Sequence, residues 1–594
     1  MKKLLQLKLT YVILNKTLYF KRLNFYNLDK RRGGSVKEKR KLRSNFPEGS
    51  LPWAARRAHW RAMGYNDEDI AKPKIAIVNS SSNLAVCFSH LDEIADKLRD
   101  SINAAGGIAF EVRTVAPSDF ITATGKSGGY ILSARDLIAS DIEAAVEGAQ
   151  LDGMILLASC DKTVPGQLMA AARLNIPSLS IICGYQPSGK YKGKHNDIED
   201  VFINVGHYQA GKITLEELTE MTDTAIQGPG TCPGMGTANS MACVTEALGM
   251  ALPGNAPIMA NTTNMWQIVR KAGERIVDMI WEDQKPRDIL TEEAFYNAVK
   301  VTLSVAGSIN CIKHLQAIAK ETRKDIDVYK MFEDYADKIP LLVGVTPNGI
   351  HHIEDLEEAG GALGIMKQLE SELYKEAMTV SGRTVGEHLK SASVNDDNVI
   401  RSMDNALSYN PPFLMVRGSL TPEYGIVKMA SHDDRDSKFT GPAIVFENRE
   451  VALEKIAAGQ VKEGQVLVLR GYGIIGSPGH GLVSNVVFAL DGAGLTGKVA
   501  MVTDGSVSGL CNKTLLVCES SPEAATGGPL ALVEDGDLIT IDVNKKEANL
   551  EISEEEMKER EKNLKPFQHR EEHGWLDIYR RCVKPLKDGA VLSD

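Results

Sequence analysis

The sequence predicts an α/β protein: an N-terminal doubly wound, mainly parallel α/β domain, then a C-terminal β-rich, barrel-like domain with a sandwich as the alternative. Three observations predict it. Unbroken apolar runs such as Met154–Ala158 alternate with stretches of helical spacing, the pattern of parallel strands covered on both faces by crossover helices. After about Arg383 the text changes to short Val, Ile and Leu runs bounded by Gly, Asp and Pro. Finally, 594 residues exceed one ordinary hydrophobic core. The expected domains are therefore 46–385 and 386–594, behind a basic lead at 1–45.

That lead stands apart. Up to Lys37 its only acidic residue is Asp29, and its apolar run Leu9–Leu14 is too short to cross a membrane. It reads either as a transit peptide or as a stretch that is disordered or not native. Arg31-Arg32-Gly33-Gly34 can be encoded by a purine-rich ribosome-binding stretch and Val36 by a GTG start. Lacking serine enrichment and amphipathicity, the lead favours the second reading.

A basic helix around Pro52 leads into a strand at Lys74–Val78. Leu91, Ile94, Leu98 and Ile102 then recur at helical spacing as far as Gly106-Gly107. Phe110–Val115 reads as a strand, Ala134–Glu147 as a helix, and Met154–Ala158 as the central strand. That strand ends in Ser159-Cys160-Asp161-Lys162, where Pro165 and Gly166 open a helix, and Pro177–Cys183 supplies another strand. Helix predominates between Ile213 and Leu389. Five later runs read as strands: Ala443–Phe446, Val466–Arg470, Lys498–Thr503, Leu515–Cys518 and Leu538–Val543. The charged run Glu554–Lys565 reads as a solvated helix.

Composition narrows the function. A net charge of −10 argues against a general nucleic-acid binder, and nine scattered cysteines suit a reducing, cytoplasmic setting better than a secreted disulfide framework. Three of those cysteines, Cys87 in VCFSH, Cys160 in CDK and Cys232 in GTCPGMG, sit at strand or loop ends with small neighbours. They are too widely spaced for a zinc ribbon. Three thiolates meeting in space would suit an iron–sulfur cluster with one iron open as a Lewis acid, whereas a single cysteine is more commonly just buried. Cys183, Cys243, Cys311 and Cys582 read as structural; Cys511 and Cys518 receive no role.

Many motifs in one order carry a resemblance. They are RRAHWRAMG, Asn79-Ser80 with Cys87 and His90, SDF, CDK-x-x-PG, TCPGMGTANSM with EALGMALPG, FTGPA, G-x-x-G-x-PG, TDGSVSG, and SPEAATGGPLALVEDGD. From Pro52 to Val543 the chain resembles the dihydroxy-acid and phosphogluconate dehydratase family. The resemblance implies a hydro-lyase that converts a 2,3-dihydroxy acid to a 2-keto acid through an enol. It implies Cys87, Cys160 and Cys232 as ligands of an iron–sulfur cluster, with Cys87 favouring [2Fe–2S] over [4Fe–4S]. It further implies Mg2+ on Asp119, Asp161 and a carbamylated Lys162, and Ser508 as the base. Alone, Asp119 would read as a turn cap and Ser508 as a turn residue.

Departures fall in the second domain. In the family the G-x-x-G-x-PG loop continues to a glutamate; here Leu482 takes that place, with His480 nearby, able to substitute as a ligand, although a loop histidine is more often merely solvated. Ser506 stands where the family has arginine, and Lys513 adds a cation beyond Ser508. Dihydroxy-acid dehydratase of branched-chain amino-acid synthesis is the leading reading. The alternatives are a sugar-acid dehydratase, or a catalytically altered paralogue keeping its cluster as a sensor. Expected partners are a small dihydroxy or polyhydroxy acid and further copies of the chain, as a homodimer or homotetramer, with neither nucleic acid nor membrane.

Overall fold

The computed structural model describes residues 40–429, 438–509, 511, 514–569 and 573–592. The basic lead through residue 39 and Lys513 lie outside them. From Arg43 onward the chain forms one unit built on two large sheets.

Strands β1 (Lys74–Asn79), β2 (Ile108–Arg113), β3 (Gly153–Ala158) and β4 (Ser178–Ile182) form a parallel sheet in the order β2-β1-β3-β4. Every residue of β1 and of β3 is buried, which is why both read as continuous apolar runs rather than as alternation. Helix Leu91–Ala104 turns its predicted stripe of Leu91, Ile94, Leu98 and Ile102 into the core and packs on β1, β2 and helix Thr263–Glu282. Gly129–Ile142 and Thr163–Leu174 form another tight pair. A Cβ on Gly166 would lie 2.6 Å from the Arg135 carbonyl, so only glycine permits that approach. The helix predicted at 134–147 begins earlier, at Gly129, and ends in a wider π turn at Glu143–Glu147. A short hairpin, β5 (Gly189–Tyr191) and β6 (Lys194–Asn196), follows.

The second sheet has eight strands: β7 (Phe413–Val416), β8 (Tyr424–Lys428), β9 (Lys438–Phe446), β10 (Val466–Leu469), β11 (Ala500–Thr503), β12 (Leu516–Ser521), β13 (Leu538–Asp542) and β14 (Glu547–Leu550). Their order is β14-β13-β9-β10-β11-β12-β8-β7. Beyond the end strand β7, Arg417 bridges Glu547 of β14, donating to Lys546 O at 2.9 Å and accepting from Ala548 N at 3.0 Å. The sheet is thus a nearly closed barrel, which leaves little free edge, and the sandwich alternative falls. Its four central strands, β9 to β12, run parallel. Parallel neighbours need crossovers, and helices Arg449–Ala457 and Ser484–Gly492 provide two of them, so this half is mixed α/β rather than simply β-rich. Helix Glu554–Asn563 buries no residue, as its charge pattern predicts. Among the described residues no helix is long and apolar enough to cross a membrane.

One buried ion pair ties distant segments together. Arg135 and Asp136 are both inaccessible to solvent and lie 2.9 Å apart. The same guanidinium donates to Gly589 O at 2.8 Å and Ala590 O at 2.7 Å, and lies 3.4 Å from His314 Nδ1.

Candidate active site

All three predicted cysteine ligands come to one place, and polar side chains fix the backbone of each. Cys87 follows β1 in a short turn, and its carbonyl accepts from Ser159 Oγ at 2.6 Å. Cys160 leaves β3, and Thr163 Oγ1 at the start of the next helix donates to the Ser159 and Cys160 carbonyls at 3.0 and 3.1 Å. Cys232 lies in the loop before helix Thr237–Ala247, where Asn239 Nδ2 donates to Cys232 O at 2.9 Å and Gly234 O at 2.8 Å. The Cys160 thiol meets that of Cys87. This contact, burial and the nearby carboxylates hold its pKa well above the ordinary thiol value. Burial, Glu199 and Cys160 do the same to Cys232. Buried sulfurs facing carboxylates are poor thiolates on their own, and a cationic group between them removes that penalty.

Asp119, at the start of the short helix Asp119–Thr122, adjoins the same strand end. Lys162 Nζ lies 2.8 Å from Asp161 Oδ1 and 3.6 Å from Asp119 Oδ2, as counter-ion to both. His314 Nε2 approaches Asp161 Oδ1 at 3.7 Å. Desolvation and the Asp161 charge raise the Asp119 pKa strongly; Asp161, although the more buried of the two, is held below the carboxylate range by Lys162, Asp119 and His314. Asp161 Oδ1 is held by Lys162, whereas Asp119 Oδ1 is buried without a hydrogen-bond partner among the described residues. An unsatisfied carboxylate oxygen beside a second carboxylate suits a hard dication, so the residues fit the implied metal.

Loops of the barrel close the site from the other side. Ser508 follows β11, and its N–H donates to Ser484 Oγ at 2.7 Å. Asn310 Nδ2 reaches Thr237 Oγ1 at 3.0 Å and the Val507 carbonyl at 3.5 Å, and a Cβ on Gly509 would lie 3.5 Å from Gly236 and Ser308. The serine loop is therefore docked on the Cys232 loop. Leu482 N donates to Ser127 O at 2.9 Å, which sets the G-x-x-G-x-PG loop against the turn between Asp119 and helix Gly129–Ile142. The leucine stays half-buried there.

Sequence reasoning missed several groups. Lys428, at the end of β8, is 1% exposed and donates to the Gly509 carbonyl beside Ser508. Burial pushes its pKa down to about 8, with Cys511 and Glu199 opposing. Glu199 is buried against the Cys232 loop, and burial raises its pKa strongly. A single lysine closing a short strand and a glutamate in a helix's first turn carry no sequence signal. His480 is buried, contrary to the usual fate of a loop histidine, and Cys582 is exposed rather than structural. Cys183, Cys243 and Cys311 are buried as expected, and so are Cys511 and Cys518. Among the described residues, the one trio of His, Cys, Asp or Glu ligand atoms lying mutually within 4.8 Å is His195, Asp197 and Asp200. Its aspartates already cap helix Ile198–Gln209, Asp197 accepting from Glu199 N at 2.7 Å and Asp200 N at 3.1 Å. The three cysteine sulfurs do not all lie within that spacing of one another.

Comparison with known proteins identifies relatives over both halves of the chain. The N-terminal profile of the dihydroxy-acid/6-phosphogluconate dehydratases matches residues 72–388, and the C-terminal profile matches residues 398–590. Proteins named dihydroxy-acid dehydratase are similar along nearly the whole chain. The one from Caldicellulosiruptor saccharolyticus is 42% identical over 93% of this chain and 100% of its own length. That from Pyrococcus furiosus is 40% identical over the same shares, and that from Methanococcus aeolicus 39% over 91% and 98%. With both halves matched and the motif loops assembled at one pocket, the chain belongs to the dihydroxy-acid/6-phosphogluconate dehydratase family.

Proposed function

We propose that the protein is a hydro-lyase converting a 2,3-dihydroxy carboxylic acid to a 2-keto acid, as dihydroxy-acid dehydratase in branched-chain amino-acid synthesis. The convergence of three cysteines, two neighbouring carboxylates and a serine loop carries this reading. Cys87, Cys160 and Cys232 would hold an iron–sulfur cluster, [2Fe–2S] in our reading. Asp119, Asp161 and a carbamylated Lys162 would hold a divalent cation. Bound there, the two groups supply electrophiles for the departing C3 hydroxyl and for the substrate carboxylate with its C2 oxygen.

The chain's own residues do the rest. Ser508 Oγ, as the alkoxide, takes the C2 proton, and the C2–H electron pair becomes the C2=C3 bond as the C3–O bond breaks. The departing hydroxide takes the proton from Ser508 to leave as water and restore the alkoxide, and the enol tautomerises to the keto acid. The Ser484 hydroxyl and Lys428 grip the backbone on either side of that reaction. The buried ammonium of Lys428 also lowers the cost of negative charge on the loop. Burial of Cys87, Cys160 and Asp161 limits water near the reacting carbons.

Anaerobic purification with iron and sulfide analysis, then a 2-keto-acid assay across dihydroxy and aldonic acids, tests this reading. Stoichiometric cluster and turnover of a branched dihydroxy acid are expected; a cluster-free chain inert on every acid would overturn it. The half-buried Leu482 favours one second reading, a sugar-acid dehydratase or a silent paralogue, because a charged oxygen ligand is missing. On either reading Leu482→Glu should lower the Mg2+ concentration for half-saturation about tenfold, since ligand charge tunes affinity for hard cations. Isothermal titration with Mg2+ measures this, and unchanged affinity would remove Leu482 from the cation site. A homodimer or homotetramer in the cytoplasm completes the proposal.

A further inference from the structure

We propose that the buried ion pair of Lys313 and Glu519 is a positioning clamp that holds the Ser508 loop in register with Asp161. The inference rests on the reading of Ser508 as the base.

Three observations carry it. First, the pair is sealed from water: the Lys313 and Glu519 side chains are 1% and 0% exposed, and Lys313 Nζ donates to Glu519 Oε1. Exchanging such a pair for apolar side chains is often neutral or stabilising, so stability alone does not account for it. Second, strand β12 is distorted where it delivers the glutamate. Cys518 faces Ile426 and Ser521 faces Tyr424, so three steps along β12 match two along β8. That is a β-bulge, which re-aims a side chain and recurs beside active sites. Glu519 lies within it in a left-handed backbone, φ +53°, a conformation that costs energy in a residue with a Cβ.

Third, both partners are tied to the site. Lys313 lies on helix Asn310–Glu321, between two residues that reach it. Asn310 Oδ1 accepts from Ser506 Oγ at 3.5 Å and its Nδ2 donates to the Val507 carbonyl at 3.5 Å, while His314 Nε2 lies 3.7 Å from Asp161 Oδ1. Glu519 N donates to Gly505 O at 3.3 Å, at the start of the serine loop. The contacts close a ring: Lys313, Glu519, Gly505, Ser506, Asn310 and one helical turn back to Lys313. The charges of Lys313 and Lys162 both act on the buried His480, which puts the clamp beside the same pocket.

As a pair the two side chains carry no net charge, so removing both takes away direction rather than field. A charge-assisted hydrogen bond fixes geometry where an apolar contact lets surfaces slide. A displacement of about 1 Å at a reacting group costs about 10²-fold in rate.

The test places Lys313→Met/Glu519→Leu in the full-length, cluster-loaded protein and again in Ser508→Ala, reading kcat, KM, iron content and thermal midpoint. In the unaltered background kcat should fall about 10²-fold, with KM, iron content and thermal midpoint little changed. In Ser508→Ala the same exchange should cost almost nothing further, because groups that act as one unit are not additive. Full kcat in the paired variant, or the same fractional loss in both backgrounds, would overturn the inference. So would a paired variant that fails to fold or whose thermal midpoint falls with kcat, since the pair would then be a structural tie. Full kcat in Ser508→Ala itself would instead overturn the reading of the base.

Discussion

Cys160→Ser is expected to bleach the visible iron–sulfur absorbance and abolish turnover while leaving the fold intact. Cys160 is the sulfur at the end of the fully buried β3, in contact with Cys87 and electrostatically coupled to Cys232. Serine is nearly isosteric and its backbone grip through Thr163 does not involve the sulfur, so the stability cost should stay near ~1 kcal/mol. Serine is a poor ligand where a thiolate is needed, so iron content should fall with the colour. Absorbance, iron analysis and circular dichroism on the same sample check all three. A fully coloured, active Cys160→Ser protein would remove this residue from the ligand set.

Ser508→Ala should separate chemistry from cofactor. Iron content and colour should match the unaltered protein, KM should shift little, and kcat should fall by about 10²- to 10⁴-fold, the range for a positioned proton-transfer group. The loop is gripped through backbone, by Ser484 on one side of the serine and Lys428 on the other, so removing the hydroxyl leaves its path in place. Steady-state kinetics with solvent-deuterium exchange at C2 would read the loss directly. Retained exchange would assign the proton transfer to another group.

How much of this was legible depends on where each signal lives along the chain. Strand β3 could be read because burial on both faces leaves an uninterrupted apolar run, and helix Leu91–Ala104 because one buried stripe repeats every three to four residues. The cysteine loops and the CDK turn could be read because their chemistry is compressed into a few adjacent residues. Strands β7, β8 and β14 are four or five residues long and gave too little periodicity. The crossover helix Ser484–Gly492 contains Val486, Val487 and Phe488, a run that reads equally well as strand. Lys428 and the burial of His480 escaped for a different reason. Their significance comes from partners far away in sequence, Lys428 from a carbonyl 81 residues on and His480 from one 24 residues on. No local pattern announces that a polar side chain will be sealed from water.

The clasp between Arg135 and the Gly589–Ala590 carbonyls has a consequence for how the enzyme would age. A guanidinium with no access to solvent cannot rehydrate in place if those carbonyls are cut away or displaced; leaving a buried donor unsatisfied costs about 1–3 kcal/mol, even with the Asp136 pair intact. Its neighbour on the inner side is His314, which in turn faces Asp161. Proteolytic trimming of the tail would thus be felt first as a loosened Asp161 carboxylate, more than four hundred residues upstream.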